Sequence, residues 1–122
     1  MRKQALLLAA IILAALAPAA SAAQANSAVV TFRRPTLFHN VVLQGTYVVV
    51  HDDYAMTTSD QPCTHVYRYE NGQAGELVVS FRCRPVKAVR AERTRFRTRP
   101  GKPLDQVLEF QFAGQGEAHQ VL

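Results

Sequence analysis

The pattern of this chain predicts an all-β fold, a small antiparallel β-sandwich or barrel of about six to eight strands. Three observations predict it. After the opening segment, no stretch carries apolar residues at helical spacing. Short runs rich in Val, Phe, Tyr and Thr recur between Gly, Pro and Asn punctuation. Residues 63–84 read as one hairpin whose register can be argued from parity alone.

The opening segment predicts export. Met1, Arg2 and Lys3 form a positive start, residues 5–16 are apolar, and small residues follow Pro18. Ala20-Ser21-Ala22 and Ala23-Gln24-Ala25 both fit a signal-peptidase site. The apolar run falls short of the ~20 residues that a bilayer span needs, so the membrane is engaged only through an uncleaved leader. No Cys marks a lipoprotein anchor there. The expected organisation is a signal peptide, 1–25, and a single β domain, 26–122, in the periplasm or the medium.

Residues 28–34 read as a first strand with Val30 and Phe32 inward, ended by Pro35. Residues 41–43 and 46–51 are strand signals around Gly45. The spacing Leu43-x-Gly45-x-Tyr47-x-Val49 is similar to a turn-into-strand of prealbumin-like and immunoglobulin-like modules. That likeness implies that Gly45 bends the chain and that the Tyr47 hydroxyl bonds backbone. Residues 52–62 form a polar loop, with Asp52 and Asp53 expected to bond backbone in a turn.

In the hairpin, Cys63, His65, Tyr67 and Tyr69 share one face of the first strand, and Leu77, Val79, Phe81 and Cys83 share one face of the second. A fold about Gln73 sets these residues inward and opposite one another, with Cys63 across from Cys83. Two cysteines so placed in an exported chain predict a disulfide. Pro85 then interrupts, and residues 86–98 read as a further strand or bent pair of strands. Residues 106–112 alternate with Leu108, Phe110 and Phe112 inward, and residues 119–122 add a last short strand.

Taken together, GTYVVVHDD, PCTHVYRYE and LVVSFRCRP resemble a family of short, exported, all-β bacterial proteins of unknown function. The likeness covers residues 43–86 and, loosely, 111–119. It implies a domain type and no activity, so no catalytic residue is carried over.

Charge is distributed unevenly. Loss of Arg2 and Lys3 with the leader lowers the formal net charge from +5 to +3. Residues 82–102 hold nine Lys or Arg and one acid, Glu92, a local charge of +8. Within them Arg93, Arg95, Arg97 and Arg99 are spaced by two, so a strand would point all four one way. Such a row suits a repeating anion: a polyanion or the phosphates of a lipid headgroup. Without an aromatic on that face it does not suit nucleic acid. The alternative is a solvated edge whose charges prevent pairing with another sheet.

Two further sets carry chemistry. His51, Met56, Cys63, His65 and Cys83 are soft-metal ligand types, but no C-x-x-C or H-x-x-x-H spacing joins them, and a disulfide would consume the same sulfurs. His51, Asp52, Asp53 and Asp60 could supply a general base or oxygens for a cation. No nucleophile motif or phosphate loop accompanies them, so an enzyme is not the reading. His39 and His119 stand next to turns and read as surface or capping residues. The expectation is a non-enzymatic binding or structural module without a cofactor, its basic strand meeting an anionic envelope or extracellular component. The alternative is a periplasmic transition-metal-binding protein using His51, Cys63, His65 and Cys83.

Overall fold

The computed structural model describes residues 25–58 and 61–122. The proposed leader therefore lies outside the described residues, save Ala25, and so does Asp60. The fold is all-β. Its strands are β1 (Ala25–Phe38), β2 (Val41–Asp52), β3 (Thr64–Glu70), β4 (Gln73–Phe81), β5 (Cys83–Lys87), β6 (Arg95–Arg99), β7 (Asp105–Gln111) and β8 (Glu117–Val121). A single helical turn and a half, α1 (Asp53–Thr58), follows β2.

Sheet order runs β4-β3-β2-β1-β7-β8-β5, with β6 on the other edge of β7. Neighbours are antiparallel except β1 and β7, which run parallel where Thr36 meets Asp105 and Leu37 meets Gln106. The two ends of this path, β4 and β5, are separated in the chain by Arg82 alone. Both ends must therefore come together at that residue. The sheet curls into a half-barrel to do so.

β1 and β2 form a long hairpin turned by His39 and Asn40, where His39 takes a positive φ of 57°. β1 does not stop at Pro35. It carries on through an irregularity between Phe32 and Thr36, the usual way a sheet accommodates a residue with no N–H. The Tyr47 expectation is met closely: its hydroxyl donates to the Gln44 carbonyl at 3.0 Å and accepts from the Gln44 N–H at 3.3 Å. Gly45, at φ +100°, supplies the bend. The polar loop contains α1, which Asp52 caps by accepting the Ala55 N–H at 3.2 Å.

The β3–β4 hairpin forms, but not in the expected register. The turn is the two-residue Asn71-Gly72, both at positive φ, rather than a wide turn about Gln73. Tight turns with two left-handed residues match the twist of the strands they join, and Asn-Gly satisfies them. The ladder consequently pairs Val66 with Val79, Tyr67 with Leu77 and Tyr69 with Ala74, with two irregularities. Thr64 and Val66 face the core, while Tyr69 and Leu77 are exposed. Expecting Tyr67 and Tyr69 in the core was wrong by one residue of parity.

Of the two forms expected for residues 86–98, a strand or a bent pair of strands, the structure has two short strands, β5 and β6, with residues 88–94 outside any ladder. In β7 the shift between Arg97 and Thr98 leaves Leu108 without a β6 partner, so fully buried Val107 takes the inward place and Leu108 is half-buried. Phe110 and Phe112 are buried as expected.

The core is aromatic. Phe38 is fully buried, with ring centroids 5.1 Å from Phe81 and 5.8 Å from both Phe96 and Phe110, and Phe32, Tyr47 and Phe112 extend the cluster. Burying each such ring stabilises the fold by roughly 1.5–3 kcal/mol. At one end the cluster stops against two imidazoles, His51 and His119.

Candidate metal centre at the sheet seam

The seam gathers the ends of several strands. Along β2 the inward residues Leu43, Tyr47 and Val49 alternate, and the same parity brings His51 inside with no exposed surface. Cys63, just before β3, is held between two strands: its carbonyl accepts the Asp52 N–H at 2.8 Å and its N–H donates to the Phe81 carbonyl at 3.2 Å. Cys83 opens β5 opposite Val121, and His119 lies on β8 between Pro85 of β5 and Phe110 of β7. Helix α1 brings Met56 from above.

His51 Nε2 lies 3.0 Å from Cys83 Sγ, and Cys63 Sγ lies 2.9 Å from the same sulfur. Met56 Sδ is 3.8 Å from Cys83 Sγ. His119 stacks on His51, ring centroids 3.7 Å apart. One donor atom each from His51, Cys83 and His119 falls within 4.8 Å of the other two, and all three residues are buried. Around them His51 Nδ1 and Asp53 Oδ1 approach to 2.8 Å at an angle that completes no good hydrogen bond, and His119 Nδ1 has no partner. Buried polar atoms are rarely left so.

Burial governs the charges. It holds the His51 imidazole below its ordinary value, although Asp53 pulls the other way, and it lowers His119 to about 3, helped by His51. Both rings are neutral at neutral pH, with a lone pair to offer. Burial, reinforced by Cys63, pushes the Cys83 thiol well up. A coordinated metal would reverse that, since a bound cation deprotonates its thiol outright. Beyond His119, Glu117 is raised by partial burial and by Asp53.

The expected ligand set is thus corrected in one member. His51, Met56, Cys63 and Cys83 do meet, but His65 points to the other face of β3 and bonds Ser80 Oγ at 2.6 Å. The parity change that exposed Tyr69 put it there. His119 takes its place, and reading it as a surface residue was wrong: it is 2% exposed. A signal for it existed, because Glu117, His119 and Val121 share one face of β8 and Val121 packs on the core. His39 does serve a turn, with Nδ1 3.0 Å from the Leu122 carbonyl. The expected disulfide is not formed. Both cysteines are free, and they meet where β3 begins and β5 begins rather than as partners in the β3–β4 ladder.

The order Cys83, His51, Asp53 follows that of nucleophile, base and orienting carboxylate. Cys83 is 7% exposed, however, and its thiol is held protonated, as in a structural cysteine.

The arginine row is on the surface. All four side chains are exposed, but Arg93 precedes β6, and the other three reach across to β7. Arg95 donates twice to Gln111 Oε1, at 3.0 and 2.8 Å; Arg97 meets Glu109 at 3.3 Å; Arg99 donates to Gln106 Oε1 at 2.6 Å.

Comparison of the chain with family models, curated proteins and solved structures finds no match, so its function is read from this geometry.

Proposed function

We propose that this chain is an exported protein that binds a soft transition-metal ion through His51, Cys83 and His119, with Cys63 and Met56 beside Cys83. The observation that carries the reading is the convergence of three buried donors from three strands, two of them imidazoles kept neutral. Cys and Met are ordinary core residues, but two buried, stacked imidazoles beside them are not. Imidazole, thiolate and thioether together select copper, with zinc next.

In an oxidising compartment the two sulfurs have a second fate. Metal-free protein closes the Cys63–Cys83 disulfide, each sulfur giving up a proton and an electron to a disulfide-bearing oxidant that departs as two thiols. Metal and bridge exclude each other because both need Cys83.

The test is metal binding by the reduced protein. One equivalent of copper should bind and bring a thiolate-to-metal absorption band. Cys83→Ser and His119→Ala should each weaken binding by at least about 100-fold, the upper end of what losing an outer-shell partner costs. His65→Ala should leave affinity unchanged. Reduced protein that takes up no copper, or a His119→Ala variant with wild-type affinity, would sink the reading.

A second reading keeps Arg93, Arg95, Arg97 and Arg99 as a contact for an anionic polymer or lipid headgroup. Their exposure favours it. It ranks second because three of the four already spend donors on β7.

A further inference from the structure

Outside the sulfur cluster lies a second set of donors of a different chemical kind. Oxygens of Asp53 and Glu117 and a ring nitrogen of His119 lie within 4.8 Å of one another. The two carboxylates come from different elements, α1 and β8, and both are half-buried. Among the described residues neither is in a salt bridge with Lys or Arg. Among the described residues the Asp53 carboxylate has the skewed His51 contact and a long bond from Asn26 Nδ2 at 3.4 Å. Like charges this close repel unless a cation sits between them.

The independent observation is His119. Its ring is 98% buried by its 2% exposure, yet Nδ1 has no hydrogen-bond partner. A ring nitrogen of this buried imidazole stands beside the two carboxylates and completes a set of one nitrogen and two oxygens. Hard and borderline divalent cations favour that mixture.

We propose that Asp53, Glu117 and His119 form a half-exposed entry station for a divalent first-row cation, from which the ion passes inward to Cys83 and His51. The first half stands on its own geometry; the transfer rests on the metal-binding reading above. His119 belongs to both donor sets, so the ion can exchange carboxylate oxygens for sulfur and the second imidazole without leaving that ring. Passage is by stepwise ligand replacement, with no change in the ion's oxidation state. The arrangement also gives the ion a route to buried donors, since Asp53 and Glu117 are half-buried where His51, Cys83 and His119 are buried.

Two measurements separate the halves. Mn²⁺, which has little taste for thiolate, probes the station alone. It should bind wild type and the Cys63→Ser, Cys83→Ser double variant alike, and bind Glu117→Gln and Asp53→Asn at least about tenfold more weakly. Glu76→Gln, an exposed acid on β4, is the control and should bind as wild type. Unchanged Mn²⁺ affinity in Glu117→Gln overturns the station. For the transfer, rapid mixing of reduced protein with Co²⁺ follows growth of the thiolate-to-metal band. Glu117→Gln should slow its appearance at least about tenfold while the final intensity stays near that of wild type. An unchanged rate overturns the relay. A wild-type protein that never develops the band refutes the inner site and the transfer, and the Mn²⁺ series still decides the station.

Discussion

The seam and the β6–β7 edge are two collections of polar side chains on one sheet, and they are built in opposite ways. At the edge, arginines spaced by two along a single strand meet partners on the next strand in register: Arg95 with Gln111 and Arg97 with Glu109. The contacts there are between ladder neighbours, and the Arg97–Glu109 pair lies exposed to water, where an ion pair contributes little. At the seam, the donors come from residues 51, 56, 63, 83 and 119 and lie in the dry end of an aromatic core. Local repetition makes a conspicuous pattern and a weak interaction. Distant convergence leaves almost no pattern and makes the chemically distinctive site.

The largest expected difference is in acid. His51 and His119 ionise below their ordinary value of 6.5 when folded, His119 at about 3, and near 6.5 when unfolded. As pH falls the unfolded chain takes up protons first, so stability that is full above 6.5 is lost below it, for His119 down to about 3. Each ring removes about 1.4 kcal/mol per pH unit within its window. Urea midpoints of reduced, metal-free protein at about pH 7.5 and about pH 5 should show the loss. His119→Leu should remove the His119 share and so reduce the loss; an equal loss in that variant breaks the contrast with the edge, which holds no such group.

A smaller effect sharpens the edge itself. Gln111 is 1% exposed; its Nε2 donates to the carbonyls of Val89 and Gln115, and its Oε1 is satisfied by Arg95. Arg95→Ala leaves that oxygen buried without a donor and should cost about 1–3 kcal/mol by urea unfolding. Arg97→Ala breaks an exposed pair and should cost less than about 1 kcal/mol. Equal costs would mean that burial of Gln111 is not what distinguishes them.

The smallest effect on the seam belongs to charge reversal at the edge. Arg95→Glu with Arg97→Glu should leave copper binding as in wild type while abolishing retention on an anionic resin. Retention unchanged removes the second reading.

Several features could be read before folding because they depend on neighbours in the chain. The alternation that turns Val30, Phe32, Phe110 and Phe112 toward the core is one, and the Tyr47 hydroxyl closing on Gln44 three residues back is another. Asp52 capping its own turn is a third. Parity failed where a local choice had two answers. Residues 71–75 offered more than one turn, and the tight Asn-Gly form moved His65 outward and Val66 inward.

By itself, then, the sequence determined an all-β chain, most strand positions, and a short set of residues able to hold a metal. Only the tertiary structure decided which of them meet. Alternation sets the face of a residue within its own strand, but it carries no information about which strand closes beside it. That came from the curl forced by β4 running into β5 through Arg82, which brought β8 and its His119 against His51 and Cys83.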